Sequence, residues 1–411
     1  MMNSLKSYWG LPKGIYIIFL VQVVNRFGDF VVPFLTLFLT VKLGYSIETV
    51  GFITMLSALV ITPGALFGGK LADHVGRKKT YLFMQTSAAL CLVPCAFVNN
   101  NEVIVGLLIA STFFNGAVRP SLTAFIADLL PGDERKIGFS LSYLGINVGV
   151  ALGPIVAGYL FNNHLSWLFI GDAITSFLAI GLVYFNIKET LHMDQEHIEH
   201  AEDEKPEEGT VFSVLKKRPQ LLCFYMINVL FSFIYTQHRF SLPLMSEHIF
   251  GADGAKYFGY MMSVNAFTVL ALTAIITVLT KRFKPLSNMM ITAVLYGIGF
   301  GMLAYIQGFN WFIVSTIIWT IGEVLIVTNF NVYVINKTPA NFRARISSVS
   351  AISWSVGGAL GTWLMGGYIG SMGIRMVWPL TFILSMLSLV GLFVLKLYDR
   401  KKEPIDMEDT A

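Results

Sequence analysis

Charged residues are scarce in this sequence, since Asp, Glu, Lys and Arg make up 13% of its 411 residues. Soluble domains carry roughly 25% charged residues, so a soluble enzyme of this length is not expected. The apolar types AVILMFWYC make up 55%, and the mean hydropathy is +0.65. Such a composition also excludes a disordered chain and predicts an integral membrane protein with several spans.

Cysteine is nearly absent as well, with three residues in apolar stretches, Cys91, Cys95 and Cys223. This is too few for a disulfide framework and is typical of small packing residues. The sequence has no phosphate-binding P-loop, no zinc-type His/Glu spacing and no nucleophile elbow. We therefore expect no enzymatic activity, no metal, no cofactor and no nucleic-acid partner, and ATP-driven work by this chain alone is excluded.

Long apolar runs bounded by turn residues predict an all-α membrane protein with twelve spans. The first run is too long for a cleavable signal peptide and carries Arg26 and Asp29 inside it. The predicted limits are 14–41, 47–71, 80–98, 103–127, 137–161, 166–187, 219–246, 257–280, 287–306, 311–336, 346–370 and 376–397.

The placement of Lys and Arg predicts that both termini are cytoplasmic, because the inside loops and tails then hold 23 of the 29 basic residues. One long polar stretch separates the sixth and seventh spans. We therefore expect a six-helix bundle over 1–190, a cytoplasmic linker over 191–217 and a second six-helix bundle over 218–411. The three linker histidines, His192, His197 and His200, fit a mixed-charge linker better than a metal site. The expected protein is a monomer of the cell membrane.

An internal repeat supports two bundles. Five residues recur 208 positions later: Pro131, Arg135, Gly149, Gly153 and Gly158 correspond to Pro339, Arg343, Gly357, Gly361 and Gly366. The first spans match more loosely at an offset of 210, which pairs Asp29 with Arg239. Parallel repeats of this kind predict two pseudo-symmetric bundles with a central cavity.

Charged residues inside the spans are few, and each costs on the order of 3 kcal/mol at mid-membrane. Asp29 is our first choice for a proton-coupling acid, and a structural ion pair with Arg119 or Arg26 is the alternative. Glu323 is the second choice, as coupling acid, as anchor for a cationic substrate, or as a protonated interhelical hydrogen-bond donor. The predicted substrate cavity comprises Asn25, Arg26, Asp29, Arg119, His238, Arg239 and Glu323.

Two further sets of residues belong to these spans. Asp172 is expected to cap or pair near the outer end of the sixth span. The aromatic residues that could take up flat or cationic substrates are Phe30, Trp319, Phe330, Tyr333 and Trp354.

The segment GGKLADHVGRKK, residues 68–79, resembles the loop signature G-x-L-a-D-r-x-G-r-k of the major facilitator superfamily. This resemblance implies a conformational latch in which Asp73 faces the helix starting near Arg343. Arg77 and Lys78 would then reach Asp128 or Glu134. Glycines at 69 and 76 would permit close helix approach and a tight turn. The predicted latch residues are Gly69, Asp73, Gly76, Arg77, Lys78, Asp128 and Arg135.

The fifth span carries Gly149, Gly153, Pro154 and Gly158, which resemble the G-x-x-x-G-P-x-x-G element of the drug:proton antiporter branch. The resemblance implies proton-coupled efflux of amphipathic, drug-like molecules by alternating access, and helix packing alone is the alternative. A proton-coupled symporter for peptides or other metabolites is a second reading, because residues 22–27 lie where peptide transporters have E-x-x-E-R-F. A non-transporting sensor or scaffold is a third.

Overall fold

The computed structural model describes residues 8–132, 134–191, 215–338 and 342–402, and these are helical without a strand. The helices are α1 (Lys13–Phe27), α2 (Val31–Leu37, continued by a π-helical turn, Phe38–Lys42), α3 (Ile47–Val75), α4 (Arg77–Cys95), α5 (Asn101–Leu129), α6 (Glu134–Asn163), α7 (Leu165–Asn186), α8 (Pro219–Phe250), α9 (Gly254–Thr280), α10 (Pro285–Gly301), α11 (Phe309–Asn336), α12 (Arg343–Met372) and α13 (Val377–Lys402).

Each of the twelve predicted spans coincides with a helix, and the first span is divided between α1 and α2. Nine stretches of the described chain are long and apolar enough to cross a membrane, and one of them contains both α8 and α9. The helices α4 and α12 are not among the nine, and α4 begins with the three basic residues at 77–79. The all-α membrane fold predicted from the sequence is confirmed.

The described residues form two compact units. Unit 1 takes those within Met1–Ala201 and His238–Leu270, and unit 2 takes those within Glu202–Gln237 and Ala271–Ala411. The second half of α8 and most of α9 are therefore grouped with unit 1. The division into 1–190, 191–217 and 218–411 stays a prediction, and the three linker histidines lie outside the described residues.

Glycines allow α3 and α5 to approach each other at backbone distance in unit 1. A Cβ on Gly116 would lie 2.6 Å from the carbonyl oxygen of Ile61, and one on Gly68 would overlap the backbone of Ala117. The sequence analysis predicts this close approach at Gly69. A Cβ on Gly69 would lie 3.8 and 3.9 Å from two side-chain carbons of Pro120, which are ordinary contact distances. The assignment is one residue off, because Gly68 and not Gly69 lies on the face of α3 that α5 covers.

The predicted repeat recurs as the same packing contact inside each unit. In unit 1, a Cβ on Gly149 of α6 would lie 2.6 Å from the carbonyl oxygen of Val23 on α1. In unit 2, a Cβ on Gly357 of α12 would meet the carbonyl oxygen of Val229 on α8. The two glycines are 208 residues apart and the two valines 206.

The register of these contacts corrects one prediction. The next glycine of each pair meets Phe27 in unit 1 and Phe233 in unit 2, again 206 residues apart. Counting on from these residues, Tyr235 corresponds to Asp29. Arg239, which an offset of 210 had paired with Asp29, lies one helical turn further along.

We predict that Gly116→Ala destabilises the protein, because the new methyl group meets rigid backbone of α3. The expected cost is about 1–3 kcal/mol, against a gain of about 1 kcal/mol in helix propensity. The thermal midpoint of the detergent-purified protein measures this. The matched control is Gly106→Ala in the same helix, where a Cβ has nothing within 4 Å. Equal midpoints for the two variants would contradict the packing argument.

Candidate functional site

The first span is interrupted between α1 and α2, at residues 28–30. The proline at position 33 has no N–H to donate to the carbonyl of Asp29, and its ring disfavours a continuous helix at that carbonyl. Gly28 passes so close to Thr175 on α7 that a Cβ would overlap the threonine side chain. The break therefore exposes backbone groups near the middle of a span, where lipid cannot satisfy them.

A pair of opposite charges occupies this break. The Arg26 guanidinium donates from Nη1 to Oδ2 of Asp29 at 3.1 Å, and the two side chains are 31% and 25% exposed. Arg119 of α5 lies near enough to interact electrostatically with Arg26, Asp29 and Arg239. The structure thus brings together four of the predicted cavity residues within unit 1. The ion pair that it forms is Asp29 with Arg26, one of the two pairings proposed from sequence.

Asp172 also lies at the break in the first span, a position that the sequence analysis did not predict. Its side chain is buried, with 9% of the residue exposed, and Oδ2 accepts the backbone N–H of Val31 at 3.4 Å. It is the eighth residue of α7, about 10 Å along the helix from Leu165. Asp172 does act as a cap, as expected, but it caps the first helical residue after the break in the first span.

Amides next to the break link four helices of unit 1. Asn25 of α1 donates from Nδ2 to Oε1 of Gln85 on α4 at 3.3 Å. Gln85 in turn donates from Nε2 to the hydroxyl of Ser176 on α7 at 3.1 Å. Gln22 donates to the hydroxyl of Ser142 on α6 at 3.2 Å. These bonds fix the turn of α1 that carries Arg26.

The two predicted cavity residues on α8 contact each other. His238 is buried and Arg239 is exposed, and Nε of Arg239 donates to Nε2 of His238 at 3.1 Å. The carbonyl oxygen of Arg239 accepts the hydroxyl of Thr36 on α2 at 3.3 Å. This half of α8 therefore packs on the helix that follows the break.

The predicted exporter element of α6 packs on the same turn of α1. A Cβ on Gly149 would lie 2.7 Å from Cβ of Arg26, and Gly153 meets the carbonyl of Phe27. Further along α6, the carbonyl of Pro154 and the backbone at Gly158 contact α9, where a Cβ on Gly158 would lie 2.8 Å from the oxygen of Ala255. The element thus supports the charged turn of α1 on one side and α9 on the other.

The latch motif forms a charged cluster at the end of unit 1 that carries Arg77–Lys79, here called the basic end. Nε of Arg77 lies 3.4 Å from Oδ2 of Asp128, and the Thr190 hydroxyl donates to the same oxygen at 2.5 Å. The Asp128 side chain is 7% exposed, so this is a buried pair. Arg77 therefore reaches Asp128 as predicted, and a latch role stays a prediction.

Three other predicted latch residues also have partners within unit 1. Lys78 donates from Nζ to the carbonyl of Tyr184 at 2.7 Å rather than to Asp128 or Glu134. Nε of Arg135 donates to the carbonyl of Leu130 at 2.9 Å, at the carboxyl end of α5. The Asp73 side chain is 67% exposed and lies 3.5 Å from Arg77. Its predicted approach to the helix starting at Arg343 stays a prediction.

Glu189, directly after α7, completes the basic end and was not found from sequence. One oxygen, Oε1, accepts the backbone N–H of Arg77 at 2.7 Å and that of Lys78 at 3.4 Å, together with two N–H groups of its own loop. Partial burial raises the pKa of this carboxyl, but the four N–H donors together hold the pKa below its usual range. Gly76, at φ 115°, turns the chain so that these amides face the carboxylate.

Glu323 of α11 lies among aromatic residues in unit 2. It is half-buried and close enough to the Tyr296 hydroxyl to act on it electrostatically. The neighbouring Gly322 lets the Tyr296 ring approach, since a Cβ there would lie 2.9 Å from a ring carbon. Tyr235 stacks on Tyr296 at 6.1 Å between ring centroids and tilts against Trp354 at 5.7 Å. An acid beside aromatic faces is a chemical match for an organic cation.

The aromatic residues proposed from sequence fall into two groups. Phe30, Trp319 and Tyr333 are almost fully buried and pack within their units. Phe330 is half-buried, and Trp354 is 38% exposed. Tyr235, at the centre of the cluster, was missed because nothing in its local sequence separates it from other aromatic residues of α8.

Apolar spanning helices, a repeated helix packing and charges held inside the spans define a polytopic membrane transporter. Residues 18–362 match the Major Facilitator Superfamily, and the chain belongs to that family. The family predicted from the loop signature is confirmed.

Relatives and solved structures agree with this assignment. The chain is 25% identical over 371 residues to the uncharacterised MFS-type transporter YqjV of Bacillus subtilis (strain 168), covering 88% of this chain and 87% of the relative. It is 22% identical to a Na(+), Li(+), K(+)/H(+) antiporter of Planococcus maritimus, with 80% and 82% covered. A crystal structure of a POT family transporter in complex with a thioalcohol-conjugated peptide has a TM-score of 0.80 at 15% identity, covering 97% and 99%. That likeness shows the fold.

We predict that Glu189→Gln lowers the thermal midpoint of the purified protein by a few degrees at pH 7. The pKa of Glu189 is lowered in the folded protein. Its ionised carboxylate therefore stabilises the fold at pH values above about 4.3, the usual pKa of a glutamate. This stabilisation is lost as the pH falls through the folded-state pKa. The difference between wild type and variant should therefore shrink below about pH 4. Glu102→Gln, an exposed acid in the first turn of α5, is the control and should change little; a difference that persists at low pH would refute the argument.

Proposed function

We propose that this transporter exports amphipathic, cationic drug-like molecules in exchange for protons, by alternating access of residues 1–190 against 218–411. The observation that carries the proposal is the Arg26–Asp29 pair at the break of the first span, supported by the antiporter-type element of α6. Asp29 is the proposed entry point for the proton and Glu323 the proposed partner of the cationic substrate. The proton gradient is the driving force, and no cofactor takes part.

Partial exposure of Asp29 supports a proton-handling role. A carboxylate that is 25% exposed is not sealed inside the protein, and it is held by the last turn of α1 through its bond to Arg26. Arg26 pairs with Asp29 directly, and Arg119 interacts with Asp29 through space. In the proposed cycle, helix movements that change these two distances govern when Asp29 takes up a proton. Protonation is thereby linked to the arrangement of the helices.

The acid and the aromatic faces of unit 2 support a cationic, amphipathic substrate. Glu323 supplies a negative charge, and the exposed part of Trp354 supplies a flat face for a ring or an ammonium group. The aromatic rings Tyr235, Tyr296, Trp319 and Trp354 pack against one another here, and an aromatic face accepts cations of different shapes. This favours a range of flat cations over a single metabolite.

The relative from Planococcus maritimus is a Na(+), Li(+), K(+)/H(+) antiporter, which supports exchange with protons and favours monovalent metal cations as a second candidate substrate. Both candidates are antiport. Proton-coupled symport of peptides has weaker support, because the likeness to peptide transporters is one of fold alone and the two acids of their first-span motif are Gln22 and Asn25 here.

The proposed location is the cell membrane with both termini cytoplasmic, as a monomer. The relatives named above are bacterial. In this orientation the basic end of unit 1 faces the cytoplasm, in agreement with the positive-inside rule. The cluster of Arg77, Asp128 and Asp73 is the proposed latch.

We predict that Asp29→Asn abolishes proton-driven transport while leaving expression and folding intact. The protein is reconstituted in liposomes, a pH gradient is imposed, and flux of ethidium is recorded together with the internal pH. Loss of at least about tenfold in gradient-driven flux is expected. Asp253→Asn, an exposed acid of the turn after α8, should transport as the wild type does.

The same liposomes separate the candidate functions. If sodium or potassium ions drive protons out of the liposomes and ethidium does not, the result favours metal-cation exchange. If dipeptide uptake rises as the external pH is lowered, the result favours symport. Unchanged pH-driven ethidium flux in Asp29→Asn would remove Asp29 from the role.

We predict that Glu323→Gln weakens transport of ethidium chiefly through KM, by about tenfold, since an anion beside a cation is worth on the order of 1 kcal/mol or more when it is partly desolvated. A neutral aromatic probe of similar size should be unaffected. Glu48→Gln, an exposed acid in the first turn of α3, is the control. An equal loss for charged and neutral probes would indicate that Glu323 carries a proton instead of holding the substrate.

A further inference from the structure

The break in the first span contains a second acid that the proposed function has not used. Asp172 projects from α7, with 9% of the residue exposed. Its carboxylate accepts the N–H of Val31 and also interacts with the backbone N–H of Phe30. These two amides are the first to follow Asp29. Asp172 therefore binds the backbone that holds the proposed entry carboxyl.

The two acids share one arginine. Arg26 and Asp29 both act electrostatically on Asp172, and Arg26 forms its ion pair with Asp29. Among the described residues, Asp172 has no cation at ion-pair distance. Asp29 thus has a direct counter-ion and a partly exposed carboxylate, whereas the carboxylate of Asp172 is buried and bonded to a backbone amide.

The other elements packed on α7 add no further charge at this point. On α4, the side chain that reaches α7 nearest to Asp172 is Gln85, through Ser176, and the basic residues 77–79 lie at the far start of that helix. The charges of α6 are at 134–136, at its own start. In the described chain, the charged groups that act on Asp172 are therefore Arg26 and Asp29.

We propose that Asp172 is a second proton-carrying carboxyl, loaded through Asp29, and that its protonation state controls the break between α1 and α2. A proton from water reaches the exposed Asp29 and passes to Asp172, which changes from a carboxylate to a carboxylic acid. Asp29 is restored as a carboxylate and pairs again with Arg26. No other atom or electron is exchanged. This inference rests on the proposed proton coupling and extends it to a residue in another helix.

The step has a structural consequence at the amino end of α2. An ionised Asp172 is a strong acceptor for the N–H groups of Phe30 and Val31, and charge-assisted bonds of this type are about twice as strong as neutral ones. The protonated acid is a weaker acceptor, so the two amides are less firmly held. Proton uptake in α7 then loosens the joint between the halves of the first span, which is the kind of local change that a rocking transporter requires.

The test compares Asp172→Asn with wild type in two measurements. The amide of Asn keeps an acceptor for Val31 but cannot take up a proton. In liposomes with ethidium as the probe, the variant should lose the pH dependence of flux over about pH 5.5–8, while ethidium binding to the purified protein changes less than about twofold. Asp172→Glu should restore the pH dependence. Ser111→Ala, which removes a buried hydroxyl bonded to α4, is the control for a simple loss of packing.

The second measurement does not depend on transport. Hydrogen–deuterium exchange of a peptide covering residues 28–34, corrected for the chemical exchange rate, should become faster in wild type as the pH falls. In Asp172→Asn it should be independent of pH. A wild-type protein without proton-linked flux would defeat the proposed function, and the exchange result would still decide the role of Asp172. Equal pH profiles of exchange in wild type and Asp172→Asn overturn the inference.

Discussion

A break in a membrane-spanning helix leaves backbone groups that lipid cannot hydrogen-bond, and the charged centre of unit 1 follows from this constraint. The N–H of Val31 after the break needs an acceptor, which Asp172 supplies from α7. A buried carboxylate in turn favours positive charge nearby, and Arg26 lies at the last turn before the break. Gly149 lets α6 press against that turn without a side chain between them. The charges are therefore part of how the break is stabilised.

The two units use one packing scheme for different chemistry. Glycines 208 residues apart place α1 on α6 and α8 on α12 in the same way. The register of the contacts makes Ser232 the counterpart of Arg26 and Tyr235 the counterpart of Asp29. The helix α8 has no break at this point, so unit 2 has no exposed amides there and requires no ion pair. The same position instead holds an aromatic ring stacked on Tyr296. At this position, an ion pair is thus found only in the unit whose backbone is broken there.

The sequence predicted the spans well, because long apolar runs and bounding turn residues are local signals. It also predicted the glycine repeat and, through the resemblance of its loop signature, the contact of Arg77 at the start of α4 with Asp128 at the end of α5. It failed where the partner is far away in the chain: Val31 and Asp172 are 141 residues apart, and Arg77 and Glu189 are 112 apart. The predicted alignment of the first and seventh spans was wrong for a different reason. It matched the prolines at 33 and 243, whereas the true register is set by helix contacts in the preceding turns, and no local sequence pattern shows those contacts.

The geometry of the basic end divides the latch motif into a fixed part and a part that is free to change partners. Arg77 and Asp128 are 17% and 7% exposed, and the Thr190 hydroxyl is bonded to the same carboxylate. Separating a buried pair strands a charge at a cost of about 3–5 kcal/mol, so this contact is suited to hold α4, α5 and the loop after α7 together in every state. The Asp73 side chain is 67% exposed, and its contact with Arg77 at 3.5 Å is of the surface kind, worth about 0–1 kcal/mol. A switch that must open and close within a transport cycle needs a contact of the second kind. In the proposed latch, Asp73 is therefore the residue whose partner changes, and the Arg77–Asp128 pair is the contact that keeps the loop in place.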